Sequence, residues 1–422
     1  MMESSKPELD ALLQVGTEGS AVDVSRRRKT HPVGWEPVNI GETGGYITTP
    51  PQAEPPADWE QFLDELLPPS MDRSLFEVDE SSVEMRAWDG NVGMGEIKRF
   101  YYFKARVRRK NSVVDRDLTD IIELAKKTKV KAAKLVDEER VYWVHITDLQ
   151  AGQADGDAVQ GMVNRALQIS DIVADDLANL ARSGRPASQI FVPITGDLVE
   201  GIIGWYEMQT FSVKLDRRDQ VKLVRRLLSE ILVAVAKLGL PVHVAAVPGN
   251  HGENRHNGKA FTSLNDNDDL AVVEQIAEAF ALAGLDSVTF SLPEKERLSL
   301  TVEVLGWIVG LTHGHVAKYG NGVEGKILGW FKSMAATRDP IGDSDILFTG
   351  HYHHPRFQSL IGDTYWVQGG ALCDTSAWFS QSAGLVSDPC LLRGTITRAQ
   401  RIESVMPYFW PRTTTATRNI GA

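Results

Sequence analysis

The stretch LFTGHYHHPRF, residues 347–357, places His351, His353 and His354 within four positions of a chain that has ten histidines. Each imidazole brings ring nitrogens that need partners, so the cluster suits a metal site better than an apolar core. Four other stretches deliver the same chemistry. VYWVHIT is followed by Asp148 and Gln150, and IFVPIT by Gly196-Asp197. VHVAAVP is followed by Gly249-Asn250-His251, and WIVGLT by His313-Gly314-His315. Asp, Asn and His are hard or borderline ligands that suit Mn, Fe or Zn. Two ions about 3.5–4 Å apart can share one carboxylate, clamp a phosphoryl group and lower the pKa of a bound water. Taken singly, each stretch has a plain reading: a surface turn for Asp197, a hydrogen-bonded histidine for His313. Five in chain order, each after an apolar run, point to one site.

The elements that must hold these residues are short strands alternating with helices. Strands are expected over 141–147, 190–195, 242–248, 300–312 and 345–349. Helices are expected over 157–182, 217–239 and 269–284, with Gly239 and Pro241 as stop signals. Buried strands alternating with helices imply an α/β sheet layered by helices. Open sheets of this kind place ligands past the C-terminal ends of their strands. Glycines before Asp197, Asn250 and His351 let the backbone turn sharply there.

The series D-x-Q, GD, GNH, HGH, GHxH over residues 141–375 resembles the calcineurin-like metallophosphoesterase superfamily. Within it, the chain is most similar to phage proteins likened to the nuclease subunit of SbcCD-type double-strand-break repair complexes. The resemblance implies a layered β-sheet sandwich flanked by helices, with two divalent ions, Mn first and Fe, Zn or Mg as alternatives. It assigns Asp148, Gln150, Asp197 and His353 to the first ion. Asp197 (as bridge), Asn250, His313 and His351 go to the second, and His251 becomes the general acid or charge stabiliser. The family has His where this chain has Gln150. A Gln carbonyl binds more weakly than imidazole, so a loose or Mn-like first ion is expected. His145 precedes Asp148 within a strand and reads as structural. Candidate substrate contacts are Arg255, His256 and Lys259 in the polar loop 252–269, together with His315 and His354.

HVAKYGNGVEGKILGW (315–330) has P-loop spacing at Gly320, Gly325 and Lys326, but Ile327 stands where Ser or Thr should be. A Gly-rich lid presenting Lys318 and Lys326 is expected instead. The aromatics of AWFSQ (377–381) and PYFWPR (407–412) could stack on bases, but core packing is the simpler expectation.

The bulk numbers bound the rest. With 422 residues, 42% hydrophobic and 24% charged, the chain has a globular composition and room for one large domain or two ordinary ones. No signal-peptide layout or membrane-length apolar run is visible, and two cysteines make no disulfide scaffold, so a reduced, cytoplasmic protein is expected. The net charge of −11 argues against a protein that simply coats duplex DNA. Lys98 to Arg140, however, holds 14 basic and 7 acidic residues, either a solvated face or a phosphate-tracking surface. The expected domains are a linker-rich segment 1–75, a small basic β/α extension 76–140, a metallophosphoesterase domain 141–410 and a tail 411–422. A short helix at WEQFLDELL (59–67), a β-hairpin over 82–110 and a helix over 118–135 are expected in the first two. The leading expectation is a DNA endo- or exonuclease of phage repair or recombination, with DNA and an ATPase subunit as partners. The alternatives are a small-molecule or nucleotide phosphoesterase and a non-catalytic accessory subunit of a DNA-processing complex.

Overall fold

The computed structural model describes residues 38–41, 44–50, 58–67, 73, 76–91, 97–109, 117–130, 139–154, 156–202, 209, 213–256, 259–374 and 386–411. The chain divides into two compact units, and the smaller one spans residues 17–115. Its antiparallel sheet has the order β1-β2-β4-β3, from β1 (Val38–Gly41), β2 (Gly44–Thr48), β3 (Phe76–Asn91) and β4 (Ile97–Arg109). Helix α1 (Trp59–Leu66) starts where the Asp58 carboxylate accepts the N–H groups of Glu60 and Gln61, at 2.9 and 3.0 Å. Trp59 and Leu63, one turn apart, enter a core with Ile47, Phe76, Val78, Phe103 and Val107. A linker-rich 1–75 is therefore corrected: β1, β2 and α1 lie inside it, and their apolar residues supply much of this core. The Pro-rich residues 51–57 lie outside the described residues, as do 1–37 and 412–422.

The larger unit takes in residues 1–16 and 116–422, so the helix α2 (Asp117–Lys126) belongs to it and its second stretch does not start at 141. Ile121 and Ala125, a helical turn apart, are buried in the main core. This packing draws α2 away from the extension that the charge pattern suggested. The basic stretch 98–140 is thus parted between the two units.

The larger unit is a four-layer stack. Its first sheet runs β10-β7-β6-β5-β16-β17. The strands are β5 (Arg140–His145), β6 (Gln189–Ile194), β7 (Val242–Ala246), β10 (Val288–Ser291), β16 (Cys390–Thr397) and β17 (Ser404–Phe409). The first four are parallel, and β16 and β17 are antiparallel additions. The second sheet runs β11-β12-β13-β15-β14, from β11 (Ser299–Val304), β12 (Trp307–Thr312), β13 (Ile346–Thr349), β14 (Arg356–Ser359) and β15 (Tyr365–Gln368). A two-stranded hairpin, β8 (Arg255–His256) with β9 (Lys259–Ala260), stands apart.

The period-two rule of strands explains the stacking. On β5, Tyr142 and Val144 join the core under helices α3 (Ala158–Arg182), α4 (Arg217–Ala236) and α5 (Asp268–Ala283). Val141 and Trp143 point the other way, into the space between the sheets, with Phe191, Leu311, Ile346, Phe348 and Val367. On β13 the pattern repeats: Ile346 and Phe348 face the first sheet, while Leu347 packs with Ile327 and Phe331 of α6 (Gly322–Ala336). The lid expected over 315–330 is therefore corrected from Gly322 on. Ile327 is fully buried and anchors a helix. No helix is long and apolar enough to cross a membrane among the described residues.

Candidate metal centre

The strand ends of both sheets converge. β5 delivers Asp148 and Gln150, β6 delivers Asp197, and β7 delivers Asn250 and His251; β12 delivers His313, and β13 delivers His351 and His353. Backbone bonds knit the loops together. Asp148 N donates to Gly196 O at 3.1 Å, and Gln150 N to Asp197 O at 2.9 Å. Nine non-glycine residues have positive φ among the described residues, and five are Asp148, Gln150, Asp197, His351 and His353. Left-handed backbone at non-glycine residues is strained, and it clusters where a site over-determines it.

Asp197 lies at the centre and is almost fully buried. Its Oδ1 accepts the His251 N–H at 2.8 Å, and its Oδ2 lies 2.8 Å from His313 Nε2. His313 Nδ1 donates to the Thr195 carbonyl at 2.5 Å, so Nε2 is the nitrogen aimed into the site. The donor atoms of Asp197, His313 and His351 all lie within 4.8 Å of one another. Asn250 is buried in the same turn. Asp148, also buried, faces His353 Nε2 at 3.2 Å through Oδ1, takes the Thr147 hydroxyl on Oδ2 at 2.6 Å, and accepts the His351 N–H. Two buried carboxylates, each against an inward-facing imidazole nitrogen, are costly without a compensating positive charge. Divalent ions supply that charge and match the O and N donors, so the residues fit a metal pair.

Electrostatics agree. Burial opposes ionisation of Asp148 and Asp197, yet the histidines beside them hold both below the usual carboxylate range. Burial disfavours the charged form of His313, but Asp197 outweighs it and the imidazole rises to about 9. His351, buried and facing His313, is pushed down to about 3 and presents a neutral, ligating ring.

His251 sits beside Asp197, with its ring held from the other side. Its Nδ1 donates to the Glu200 carbonyl at 2.8 Å, so Nε2 faces the site, 4.0 Å from Asp197 Oδ2. Burial lowers its pKa, but Asp197 and Glu200 reverse this and raise it. Gln150 departs from a simple ligand. Its amide nitrogen reaches His251 Nε2 at 3.4 Å, and its carbonyl oxygen accepts the Cys373 thiol at 3.1 Å.

The candidate substrate contacts divide. His315 is buried beside His313 and His351, with ring centroids 5.5 and 6.3 Å away, and its Nε2 lies 3.6 Å from Glu253. Arg255 pairs with that same Glu253 at 2.6 Å. The His256 backbone pairs with Lys259 in the β8–β9 hairpin; the Lys259 side chain is exposed, and His354 is half-buried. No hydrogen bond or ion pair joins the Lys259 or His354 side chain to the Asp197 cluster among the described residues. His145 is structural, bonded to the Thr195 hydroxyl at 2.8 Å and edge-on to Phe348.

Three residues escaped the sequence reading. Asp269 looks like part of a helix cap, since Asn267 caps α5 through its N–H. Its buried carboxylate instead takes the N–H groups of Asp197 (2.9 Å), Leu198 (3.0 Å), Val199 (3.3 Å) and Gly249 (2.9 Å). Burial and the nearby Asp197 charge push it up to about 7. Glu200 orients His251, and Cys373 touches Gln150. Only polarity after a strand hinted at the first two, and nothing hinted at the third.

Gly249 shows why glycine precedes Asn250. A Cβ there would collide with Asp197 N and Oδ1. Gly249→Ala should therefore displace the Asp197 carboxylate, at about 1–3 kcal/mol of strain. The check is a thermal melt beside metal content by elemental analysis; an unchanged melt with two ions retained would contradict the crowding.

No protein-family model matches the chain, and no curated protein matches it. Solved structures do. A Streptococcus pneumoniae protein described as a predicted phosphoesterase is 11% identical over 65% of this chain and 100% of its own, at a TM-score of 0.25. Zinc-complexed Vps29 from Entamoeba histolytica is 16% identical over 63% of this chain and 97% of its own, at 0.28. The sulfate thiohydrolase SoxB of Thermus thermophilus is 12% identical over 66% of this chain and 58% of its own, at 0.30.

Proposed function

We propose that the chain is a metal-dependent phosphoesterase of the calcineurin-like kind, hydrolysing phosphodiesters of nucleic acid. The observation that carries this is the Asp197 carboxylate, with His251 N–H on one oxygen and His313 on the other, beside the Asp148–His353 pair. Asp148, Asp197 and His353, with Gln150, would hold one divalent ion, and Asp197, Asn250, His313 and His351 the other. When bound, such a pair supplies Lewis-acid polarisation of the phosphoryl oxygens and an activated water. Mn is the first candidate, with Fe, Zn and Mg as alternatives. Glu200 holds His251 so that Nε2 can hand a proton to the departing oxygen. The glycine turns keep the loops tight around the substrate phosphate.

DNA as substrate is supported by β4, where Phe103, Ala105 and Val107 turn inward and Lys104 and Arg106 turn outward. The resemblance to repair nucleases points the same way. A small-molecule or nucleotide phosphoesterase is favoured by the net charge of −11 and by the parting of the basic stretch between two units. The test is hydrolysis of bis-p-nitrophenyl phosphate and of linear single- and double-stranded DNA with Mn, by wild type and His251→Ala. Wild type is expected to cleave both, and His251→Ala to lose on the order of 10²–10⁴-fold in turnover while keeping both ions. Cleavage of the small diester alone would favour the second reading. No turnover with metal bound would sink both and leave a non-catalytic accessory subunit.

A further inference from the structure

We propose that Cys373 is a ligand of the first metal ion, its sulfur taking the place left by the imidazole that the motif carries at position 150. The proposal rests on the two-ion reading above and deepens it. Cys373 does not stand alone. Its buried Sγ donates to Gln150 Oε1 at 3.1 Å, and the thiol lies close enough to His353 to influence its titration; His353 Nε2 is 3.2 Å from Asp148. Gln150, His353 and Asp148 are three of the four residues that would hold the first ion. The backbone is fixed as well: Leu372 N and Cys373 N both donate to the Asp148 carbonyl, at 3.1 and 3.2 Å. The loop that carries the thiol is thus pinned to the carboxylate residue it would assist.

The chemistry follows from softness. Gln150 offers one neutral oxygen, a weak donor, and in this structure the thiol already occupies it. A thiolate is a strong, soft donor that selects Zn or Fe over Mn and Mg. On coordination the S–H bond breaks, a sulfur–metal bond forms, and the proton leaves to solvent. Gln150 then loses its S–H partner, and its carbonyl is free to turn toward the same ion while its amide nitrogen stays beside His251. The first position would therefore prefer zinc, against the Mn expectation drawn from Gln150 alone, and the second position, all N and O, would stay permissive.

Cobalt(II) titration of the full-length, metal-stripped protein tests this without reference to turnover. A thiolate ligand gives a near-ultraviolet sulfur-to-cobalt charge-transfer band beside the visible ligand-field bands. The chain has only two cysteines, so the band is assignable. The expected result is two bound equivalents with the band present in wild type and in Cys390→Ser, and absent in Cys373→Ser and Cys373→Ala. Zinc affinity of one equivalent should fall in Cys373→Ser by at least about the tenfold that losing a mere supporting contact costs. Two equivalents with visible bands but no charge-transfer band in wild type would overturn the thiolate ligand and leave the phosphoesterase reading standing. Failure of wild type to bind cobalt at all would overturn both. Because the wild-type spectrum is decisive by itself, a variant that fails to fold does not blunt the test.

Discussion

Asp197→Asn is expected to leave a folded protein that retains less than one equivalent of metal and has lost at least on the order of 10³-fold in phosphodiesterase turnover. Both carboxylate oxygens are committed, Oδ1 to the His251 N–H and Oδ2 to the face of His313. An amide supplies one oxygen and one NH₂. Either the NH₂ meets the His251 N–H, donor against donor, or it turns on His313 and removes the negative charge the ions need. Asn tolerates left-handed backbone, so the φ of 50° at this position is kept and the change is chemical, not conformational. Elemental analysis of the purified variant, run beside a thermal melt, separates the two. Retention of two ions by Asp197→Asn would show that this carboxylate is no bridge.

The largest stability effect is expected at Asp269. Asp269→Ala strips the acceptor from four backbone N–H groups at once, on residues 197, 198, 199 and 249. Buried donors left without partners cost about 1–3 kcal/mol each, and local relaxation recovers part of it, so a loss on the order of 4 kcal/mol is expected. In a unit of this size that lowers Tm by roughly 10 °C. The GD and GN turns also lose their shared anchor, so metal affinity should fall together with stability. Asp269→Asn should be milder in the melt, since its carbonyl keeps some of the contacts. Asp268→Asn is the control: its partner Arg217 is partly exposed, and such pairs contribute at most about 1 kcal/mol. Equal melts for Asp269→Ala and Asp268→Asn would refute the anchoring role.

The cluster at the strand ends was legible because the residue types that suit a metal are few, and because strand ends restrict place. Asp148, Asp197, Asn250, His313, His351 and His353 could be read from five short motifs, and the structure brings their loops together. The layered α/β fold was legible for a related reason: β5 and β6 are apolar on both faces, as strands between two layers must be. What escaped was contributed from a distance in sequence. Asp269 acts 72 residues from Asp197 through backbone N–H groups, which leave no residue signature. Cys373 meets Gln150 across 223 residues. Composition also misled. Proline and glycine around residues 38–67 read as linker, while Trp59 and Leu63 were carrying a core. Charge between 98 and 140 read as one surface, while the boundary between two units ran through it.

The order in which the centre is completed has a consequence for the protein's early life. Asp148 meets His351 across 203 residues, and β16, from Cys390 to Thr397, is the strand that pairs with β5 beside it. During synthesis the first carboxylates emerge long before the histidines that complete them. A nascent chain that has reached α5 has Asp148, Asp197, Asn250 and His251 but not yet His313, His351 or His353. Domains fold as units while chains are still being made, and here the second sheet must dock before the centre is complete. Under the proposed function, activity would thus be withheld from unfinished chains by topology alone.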